Sequence, residues 1–589
     1  MCGIFGIIND QNNTAAQTVL EGLKKLEYRG YDSWGIALKP GEKSHLIVEK
    51  HTGKIGNAST TLPSGSIAIG HTRWATHGGV TDENAHPHLD CSKKIAVIHN
   101  GIVENYQELK EQLLKQNHKF FSETDTEIIA HLIEEKSKTI SILDAVFDTF
   151  LSLIGSNAIA VLDYQNNQII ACRNGSPLVV GIDGEQLFIA SDVPAFLKYT
   201  NKVHFLNDGE AVVLSDKNIM LFDFKSKREI KLETQILDWK YEDAEKGGYP
   251  HFMLKEIMEQ KNTILKSSKL NQKEIDIVQE KIKLAQNVVI VGCGTAYYCA
   301  LASKYFFAKN NLQIQAYGAY EFMPFASFCN SKTVFIAISQ SGETADTLIA
   351  VKAAKKQGAY IVAVINSRGS TLERLADIVL PVSAGPEIAV VSTKAFTSQL
   401  ATLYLLAYSV NQNYKMAVEN INKLNSSLQQ WMNDDLQNNI INLAKNIMHH
   451  EDMYLIGKHL NFPAVLEFAL KIKESSYIHA EPFAAGELKH GVITLIQKNT
   501  ICFVLASNDE VKNEILSSAA EIKARGGYII GIAPFESSEF DTTIITPDSG
   551  DLTIFSNIIV GQLLGYYLGI GRETDPDKPR NLAKSVTVK

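Results

Sequence analysis

The stretch Asn287-Val-Val-Ile-Val-Gly-Cys-Gly-Thr295 decides the fold class of the larger part of this chain. Its apolar residues predict a buried strand, and the glycines that follow predict a tight loop at the start of a helix. Two further strands of the same kind, at Thr333–Ile338 and Tyr360–Ile365, also run through a loop into a helical pattern. This alternation is typical of a doubly wound α/β domain with a parallel sheet.

The same set of units recurs at a nearly constant distance along the chain. Three pairs of corresponding positions are separated by 165 to 168 residues: Gly292 and Gly457, Thr333 and Thr500, and Gly358 and Gly526. We therefore expect two doubly wound domains, at residues 277–416 and 444–579, followed by a short tail at 580–589. In sheets of this kind, ligands bind where the strands end and the helices begin.

Residues 1–220 show a different pattern, rich in short apolar strands without strict alternation. Such strands are buried on both faces, so we expect a mixed α/β sandwich. The clearest strands are Ser66–Gly70, Lys94–His99, Ala158–Asp163, Gln168–Cys172 and Gln186–Ala190, and the clearest helices are Ala15–Leu26 and Thr126–Lys136. The polar segment Trp239–Tyr249 is typical of a linker, and residues 221–276 are expected to hold this linker and helices.

The composition indicates an ordinary chain of several domains. Its 589 residues are 45% hydrophobic and carry a net charge of −8, and they are too many for a single core. We find no basic excess that favours nucleic acid and no apolar stretch long enough to span a membrane. The N-terminus lacks the positive region of a signal peptide, so a cytoplasmic location is expected. Seven scattered cysteines without C-x-x-C pairs favour reduced thiols, and neither a metal site nor a cofactor is predicted.

Cys2 is a candidate nucleophile because it becomes the first residue if Met1 is removed. Its own α-amino group, with a reference pKa near 8, then accepts the thiol proton directly or through a water. No separate catalytic histidine is needed. On position alone, however, a cysteine beside the start codon is more often incidental.

Further motifs decide between these two interpretations. They occur in the order Met1-Cys-Gly-Ile-Phe-Gly6, Tyr28-Arg-Gly-Tyr-Asp-Ser33, Gly70-His-Thr-Arg-Trp-Ala-Thr-His-Gly78, His99-Asn-Gly-Ile-Val-Glu-Asn105 and Ser122-Glu-Thr-Asp-Thr-Glu127. Together they closely resemble the class II glutamine amidotransferases. The resemblance implies a glutaminase domain with the N-terminal-nucleophile αββα fold over residues 1–220.

The resemblance also implies roles for individual residues. Asn100 and Gly101 would supply an oxyanion hole from a side-chain amide and a backbone N–H. Arg73 offers a fork for the α-carboxylate of glutamine, and Asp125 a negative charge for its α-ammonium. Further substrate contacts are implied at Trp74, Thr76 and His77, with Trp74 as a gate. Taken singly, Arg73 and Asp125 would more often be surface ion-pair residues.

A second candidate site follows the strand that begins at Thr333. Hydroxyls and backbone N–H groups at a helix N-terminus form a phosphate site without a cation, although such a sequence alone is more often a helix cap. The candidate phosphate contacts are Ser339, Gln340, Ser341 and Thr344, with Thr295 on the first glycine loop. The corresponding segment 506–510 lacks the signature, so one such site is expected. These loops resemble sugar isomerase (SIS) domains, which bind phosphosugars.

A glutaminase followed by SIS domains resembles the glutamine–fructose-6-phosphate aminotransferase family. By resemblance, His490 opens the sugar ring, Lys584 forms a Schiff base with the ketone, and Glu474 moves the proton from C1 to C2. Lys471 would hold Glu474 or the sugar. Val390 and Ser392 match a sugar-contacting loop, and Pro579–Val588 matches the family's tail. Ala296 departs from the family pattern, where serine is common.

The resemblance implies glutamine and fructose 6-phosphate as substrates, a homodimer of the bacterial type, and neither nucleic acid nor membrane as partner. One alternative is an amidotransferase that acts on another keto-sugar phosphate. Another is a sugar-phosphate-sensing regulator, since SIS domains also serve as binding modules. A sensor needs the phosphate loop but neither the acid–base residues nor the lysine.

Overall fold

The structure, a computed structural model, describes residues 2–41, 43–216, 218–237, 239, 241–269 and 272–586. Met1, whose removal would make Cys2 the first residue, and Thr587 and Val588 of the tail motif lie outside the described residues. By their internal contacts the residues group into two compact units. The first comprises residues 2–244 with residues 583–586 of the tail, and the second comprises residues 245–582.

The first unit contains fifteen short strands and four helices within the described residues. The strands are β1 (Gly3–Ile8), β2 (Ser33–Lys39), β3 (Ile47–Thr52), β4 (Ile67–Arg73), β5 (His88–Leu89), β6 (Ile95–Gly101), β7 (Asn157–Asp163), β8 (Gln168–Asn174), β9 (Val179–Asp183), β10 (Gln186–Ala190), β11 (Lys202–Phe205), β12 (Glu210–Ser215), β13 (Ile219–Asp223), β14 (Arg228–Ile230) and β15 (Gln235–Ile236). The helices are α1 (Ala15–Leu26), α2 (Tyr106–Lys115), α3 (Glu127–Ser137) and α4 (Ile142–Ser152).

These strands form two antiparallel sheets that pack face to face. One has the order β15-β11-β9-β10-β1-β4-β2-β3, and the other has the order β14-β13-β12-β8-β7-β6-β5. Ile4 and Ile69 of the first sheet share a core with Ile98 and Ala160 of the second. The strands β1 and β7 are buried along their whole length, as the apolar runs predict.

Helices cover the outer faces of both sheets. Helix α1 packs on β1 and β4, while α3 and α4 pack on the outer face of the second sheet through Ile128 and Val146. The predicted αββα sandwich is therefore confirmed. It extends past residue 220, because β14 pairs with β13 and β15 pairs with β11.

The second unit contains eleven helices and ten strands within the described residues. The helices are α5 (Phe252–Ser267), α6 (Gln272–Leu284), α7 (Thr295–Lys309), α8 (Ala345–Lys356), α9 (Thr371–Leu375), α10 (Lys394–Ser409), α11 (Tyr414–Trp431), α12 (Asp434–Ile447), α13 (Asn461–Ser476), α14 (Lys512–Lys523) and α15 (Thr553–Gly571). The strands are β16 (Asn287–Gly292), β17 (Gln315–Gly318), β18 (Thr333–Ser339), β19 (Tyr360–Ile365), β20 (Ile378–Pro381), β21 (Asp452–Gly457), β22 (His479–Ala484), β23 (Ile501–Leu505), β24 (Tyr528–Ala533) and β25 (Thr542–Ile545).

The strands form two parallel five-stranded sheets with the same order. These orders are β17-β16-β18-β19-β20 and β22-β21-β23-β24-β25. The first strand in sequence, β16 or β21, pairs with both of the next two, which is the strand order of a doubly wound sheet. The two predicted doubly wound domains are confirmed.

A layer of helices joins the two parallel sheets into one core. Helix α13 packs against α15 and α7, and α10 packs against α7 and α5. Residues of both sheets, such as Ile336 and Phe503, contribute to this core. Helices α8 and α14 cover the opposite faces.

The expectation that no apolar stretch is long enough to span a membrane is wrong, although the stretch concerned is buried in the core. Residues 550–571 form a helical stretch that is long and apolar enough to cross a membrane. In the structure, 83% of its most apolar part is buried within the unit, where α15 contacts α13, α12 and α5. The sequence pattern misses this distinction because a fully enclosed core helix is apolar on every side.

Candidate active site

The candidate nucleophile lies at the start of the central strand of its sheet. Cys2 immediately precedes β1, which pairs with β4 and β10 on its two sides. The Cys2 Sγ accepts a hydrogen bond from the Trp74 backbone N–H at 3.2 Å. Burial raises the pKa of the Cys2 thiol, and the Trp74 N–H and Arg73 act in the opposite direction. The thiol therefore needs a base to become nucleophilic at neutral pH.

Asn100 is oriented towards this cysteine by a histidine that sequence reasoning missed. The Asn100 Nδ2 donates to the Cys2 carbonyl at 3.0 Å, and the Asn100 Oδ1 lies 3.1 Å from His71 Nε2. Burial lowers the pKa of His71 to about 3, so the ring is neutral. Since an amide oxygen only accepts, His71 Nε2–H is the donor, and this bond turns the amide nitrogen towards Cys2.

Gly101 follows Asn100 at the end of β6 and adopts φ +142°. A Cβ at this position would collide with the carbonyl oxygen of Ser156. Only glycine fits this conformation next to the neighbouring backbone. The predicted pair of oxyanion donors thus lies at the end of one buried strand.

The loop after β4 carries the residues predicted to bind glutamine. The Arg73 guanidinium donates to the carbonyl oxygens of Gly79, at 3.1 Å, and His77. Trp74 and His77 are half-buried and Thr76 is exposed. Burial lowers the pKa of Arg73, while the charges of Cys2 and Asp125 raise it. Arg73 therefore lies within electrostatic range of both the nucleophile and Asp125.

Asp125 is buried, with 4% of its surface exposed, on the segment that enters α3. Its Oδ2 accepts a hydrogen bond from the Val103 N–H at 2.7 Å. Glu127 fixes the preceding turn by accepting from the backbone N–H groups of Phe121 and Ser122 at 2.8 and 2.7 Å. The structure thus holds the Ser122–Glu127 motif rigidly through its own acidic residues.

A second cluster of predicted residues lies in the other unit, on one face of α13. Lys471 Nζ lies 2.8 Å from Glu474 Oε2 and 3.1 Å from both Thr295 Oγ1 and the Ser392 carbonyl oxygen. Thr295 and Ser392 belong to the first doubly wound domain, and Lys471 and Glu474 belong to the second. The structure therefore brings four predicted site residues together across the two domains.

Glu467 completes this cluster and was missed by sequence reasoning. Its Oε1 lies 3.3 Å from Lys471 Nζ, one helical turn before it, and the side chain is fully buried. Burial raises the pKa of Glu467 to about 7, with the charge of Glu474 adding to the effect and Lys471 opposing it. Two carboxylates share one ammonium, so Glu467 retains a proton close to neutral pH. The i, i+4, i+7 spacing on α13 was the available signal.

The predicted phosphate loop connects β18 to α8. Ser339 Oγ accepts from the Gly342 N–H at 2.9 Å and lies 3.4 Å from Thr344 Oγ1, while Ser341 Oγ accepts from the Glu343 N–H at 3.2 Å. Gly342 adopts φ +67°, and a Cβ there would collide with Ser370. Ser339, Gln340, Ser341 and Thr344 thus line one tight turn ahead of a twelve-residue helix.

The remaining residues predicted for the sugar site are Val390, His490 and Lys584. Val390 is buried and its N–H donates to the Asp577 carbonyl oxygen at 3.0 Å. His490 is exposed at the end of the 3₁₀ segment Ala485–His490 and is not among the described partners of Lys471. Lys584 groups with the first unit, whereas Glu474 belongs to the second. The roles of His490 and Lys584 remain predictions.

Comparison with known proteins now places the whole chain. A family model described as "Glutamine amidotransferase domain" matches residues 71–198, and one described as "SIS domain" matches residues 281–409 and 446–543. Curated relatives from Thermococcus kodakarensis and Aquifex aeolicus are 42% and 41% identical over 100% of both chains. Both are called glutamine–fructose-6-phosphate aminotransferase (isomerizing). This chain belongs to that family.

A solved structure agrees with the family assignment for the second unit. The C-terminal domain of glucosamine-fructose-6-phosphate aminotransferase from Francisella tularensis is 29% identical, with a TM-score of 0.51. The match covers 56% of this chain and 99% of that chain. The curated relatives are named as aminotransferases, which are enzymes.

Ala296, which departs from the family pattern, lies in the first turn of α7, directly after Thr295. Its N–H donates to the Cys293 carbonyl oxygen at 3.1 Å. The methyl side chain supplies no hydroxyl at this position, whereas Thr295 next to it contacts Lys471. Positions 295 and 296 therefore offer one hydroxyl where the family pattern offers two.

Proposed function

We propose that this chain transfers the amide nitrogen of glutamine to fructose 6-phosphate and isomerises the product to glucosamine 6-phosphate, releasing glutamate. The observation that carries the proposal is the buried Lys471 cluster, which combines a base, an ammonium and a protonated carboxyl beside the phosphate-loop domain. A sensor of sugar phosphates has no use for such a cluster. The full-length similarity to the family supports the same conclusion.

In the glutaminase step, the Cys2 sulfur attacks the side-chain amide carbon of glutamine. The Asn100 Nδ2 and the Gly101 N–H stabilise the oxyanion, and its collapse breaks the C–N bond and releases ammonia. Water then hydrolyses the thioester to glutamate and restores the thiol. Arg73 and Asp125 hold the α-carboxylate and the α-ammonium, with Trp74, Thr76 and His77 around them.

In the sugar step, the Ser339–Thr344 loop binds the phosphate and His490 assists ring opening. Lys584 forms a Schiff base with the C2 ketone, ammonia replaces the lysine, and Glu474 carries the C1 proton to C2. Lys471 orients Glu474 through their 2.8 Å contact. Val390 and Ser392 border the sugar. This sequence of steps needs neither a metal ion nor a cofactor.

Several broader properties complete the proposal. We place the protein in the cytoplasm as a homodimer that acts in hexosamine biosynthesis. The two doubly wound domains, with their equal strand order, are read as an internal repeat. Nucleic acid and membrane are not expected among the partners.

The decisive experiment measures glutamate and amino-sugar phosphate together, using glutamine with fructose 6-phosphate or with another keto-sugar phosphate. We expect coupled formation of both products with fructose 6-phosphate. Cys2→Ala should lose glutamine-dependent synthesis but retain sugar-phosphate binding, since the phosphate loop belongs to a separately packed unit. Lys471→Met should lose synthesis, whereas Lys473→Met on the same helix should not.

Two results would redirect the proposal. Greater activity with a different keto-sugar phosphate would keep the chemistry and change the acceptor. Binding of fructose 6-phosphate without any amino-sugar product, in protein that still hydrolyses glutamine, would favour a regulatory role for the second unit.

A further inference from the structure

Four potential metal ligands converge in the first unit. Cys91 lies in the turn between β5 and β6, His118 follows α2, and His131 and Glu134 lie on α3. Their ligand atoms all lie within 4.8 Å of one another. We call this group the Cys91 cluster. It brings together three segments that are separate in the sequence, and the proposed glutaminase chemistry does not use it.

The distances within the Cys91 cluster match those around a tetrahedral ion. Cys91 Sγ lies 3.6 Å from His118 Nδ1 and 3.5 Å from His131 Nδ1. The two Nδ1 atoms are 3.2 Å apart, and Glu134 Oε2 lies 3.3 and 3.5 Å from them. Zinc bonds of about 2.3 Å to sulfur and about 2.1 Å to nitrogen or oxygen give tetrahedral edges of about 3.6 Å for sulfur–nitrogen pairs and about 3.4 Å for the others.

We propose that Cys91, His118, His131 and Glu134 bind one Zn²⁺ ion. A thiolate and a carboxylate balance the two charges of the ion, and two neutral imidazoles complete a donor set that zinc favours. Since the protein supplies all four ligands, the site is closed and structural rather than catalytic. The ion ties the β5–β6 turn to α3 and to the end of the α2–α3 connection.

A carboxylate lies near the outer nitrogen of each histidine, as expected around a metal site. His118 Nε2 lies 2.9 Å from Glu135 Oε2, and His131 Nε2 lies 3.7 Å from Glu127 Oε1. Carboxylates in these positions fix the imidazole ring and leave Nδ1 for the metal. Both histidines are buried, with exposed fractions of 6% for His118 and 1% for His131, so packing also sets the orientation of their rings.

A cysteine–histidine nucleophile is the competing interpretation of the Cys91 cluster. Such a dyad uses one histidine, whose second nitrogen is held by the acidic group. Here both histidines direct Nδ1 at the same point, and Glu134 faces those Nδ1 atoms rather than the outer nitrogens. Four ligands around one centre describe a cation site and not a proton relay.

Glu127 connects the zinc site to the proposed glutamine site. The carboxylate that faces His131 also accepts hydrogen bonds from the N–H groups of Phe121 and Ser122, at the start of the segment that bears Asp125. This consequence rests on the proposed function. Removal of zinc should therefore raise the KM for glutamine more than it lowers kcat, because Asp125 is proposed to bind the α-ammonium.

The direct test uses full-length protein stripped with a chelator and titrated with Zn²⁺ or Co²⁺. Zinc should bind with one ion per chain and raise the midpoint of thermal unfolding. Cobalt should give visible d–d bands of tetrahedral intensity and a near-ultraviolet thiolate charge-transfer band. The cobalt titration is done in Cys2→Ala protein, so that the nucleophilic thiol contributes no signal.

Variants separate the Cys91 cluster from other side chains. Cys91→Ser should abolish the charge-transfer band and weaken zinc binding by more than about 100-fold. Glu135→Gln, which leaves all four ligands in place, should weaken it by about 10-fold to 100-fold. His51→Ala is the matched control, because His51 pairs with Glu49 at 2.9 Å outside the cluster. It should bind zinc like the unaltered chain.

Clear outcomes would overturn the zinc proposal. Titration of the unaltered chain without stoichiometric binding, or a cobalt spectrum without the thiolate band, would exclude the site whether or not the variants fold. Rapid alkylation of Cys91 that zinc does not prevent would favour the nucleophile instead. A chain that binds zinc but hydrolyses no glutamine would separate failure of the proposed function from failure of the zinc site.

Discussion

At the scale of single residues, burial changes two ionisable groups in opposite directions. The buried His71 loses its proton and becomes a neutral donor to Asn100, while the buried Glu467 keeps its proton beside Lys471. In both cases the charged form is the one that burial disfavours. Each group contacts a residue predicted to belong to a site, Asn100 for His71 and Lys471 for Glu467. Neither group was itself predicted from the sequence.

Replacement of His71 should affect the rate of glutamine hydrolysis more than the binding of glutamine. In His71→Leu the Asn100 amide loses its only described side-chain anchor, so kcat should fall by about 10-fold to 1000-fold, as for loss of an oxyanion donor. The measurement is glutamate release against glutamine concentration. His71→Gln, which still offers a donor, should retain more activity, and equal rates in both variants would contradict the positioning role.

Glu467 should make the stability of the second unit depend on pH. Its pKa is about 7 in the folded chain, against an ordinary value of 4.5, so the folded state binds the extra proton between these values. This contribution to stability is complete below pH 4.5 and is lost as the pH rises through 7. Denaturant unfolding of the unaltered chain and of Glu467→Gln should therefore diverge across this range.

The control for this measurement is Glu419→Gln, on the exposed face of α11. It should leave the pH dependence unchanged. Parallel stability curves for the unaltered chain and Glu467→Gln would show that Glu467 does not titrate in this window.

At the scale of elements, the contacts proposed for the sugar phosphate lie on the turn between β18 and α8 and on one face of α13. The turn between β18 and α8 places Gly342 in a left-handed conformation, and α13 carries Glu467, Lys471 and Glu474 on one face. Neither feature stabilises the hydrophobic core. The left-handed residue strains the backbone, and burial of charged side chains costs free energy.

Gly342→Ala should weaken binding of fructose 6-phosphate. The left-handed conformation costs an alanine about 1–2 kcal/mol, and its Cβ would also push against Ser370 in the phosphate turn. Gly358→Ala is the matched control, since Gly358 also has a positive φ, of +88°, but follows α8 at its far end. Calorimetric titration should show lost affinity in Gly342→Ala alone, and equal affinities would remove the turn from the phosphate site.

The sequence predicted regular elements well where the apolar pattern is continuous. Helix α1 was predicted with its observed ends, and the strand predicted at Ala158–Asp163 begins one residue earlier. It could not reveal the Cys91 cluster, because the fold brings its members together from three separate segments of the chain. Glu467 was missed for a related reason: its importance comes from complete burial, which a single sequence does not report.

At the scale of the whole molecule, two separately packed units carry two different chemistries. The parallel sheets of the second unit share one helical core, whereas the antiparallel sandwich has its own. The tail is divided between them, since Arg580 stacks on Tyr477 in the second unit and residues from 583 group with the first. We therefore expect the tail to couple glutamine hydrolysis to amino-sugar synthesis.

Removal of the residues after Pro579 should uncouple the two reactions. The unaltered chain should hydrolyse glutamine faster when fructose 6-phosphate is present, because ammonia released without an acceptor is wasted. The truncated chain should lose this stimulation and all amino-sugar synthesis, while basal hydrolysis continues. Lys584→Met should lose synthesis but keep the stimulation, and undiminished stimulation of the truncated chain would exclude the tail as the coupling element.

The burial of α15 affects how the protein folds during synthesis. This helix is the last of the described helices, yet it contacts α5, the first helix of its unit, and the Gln260 Nε2 donates to the Gln562 Oε1 at 2.6 Å. Synthesis proceeds at about 5–20 residues per second. The second unit therefore remains incomplete on the ribosome for many seconds, with the apolar surfaces that α15 covers still exposed. A nascent chain stalled before residue 553 should be retained by chaperones, although its sandwich domain is already fully synthesised.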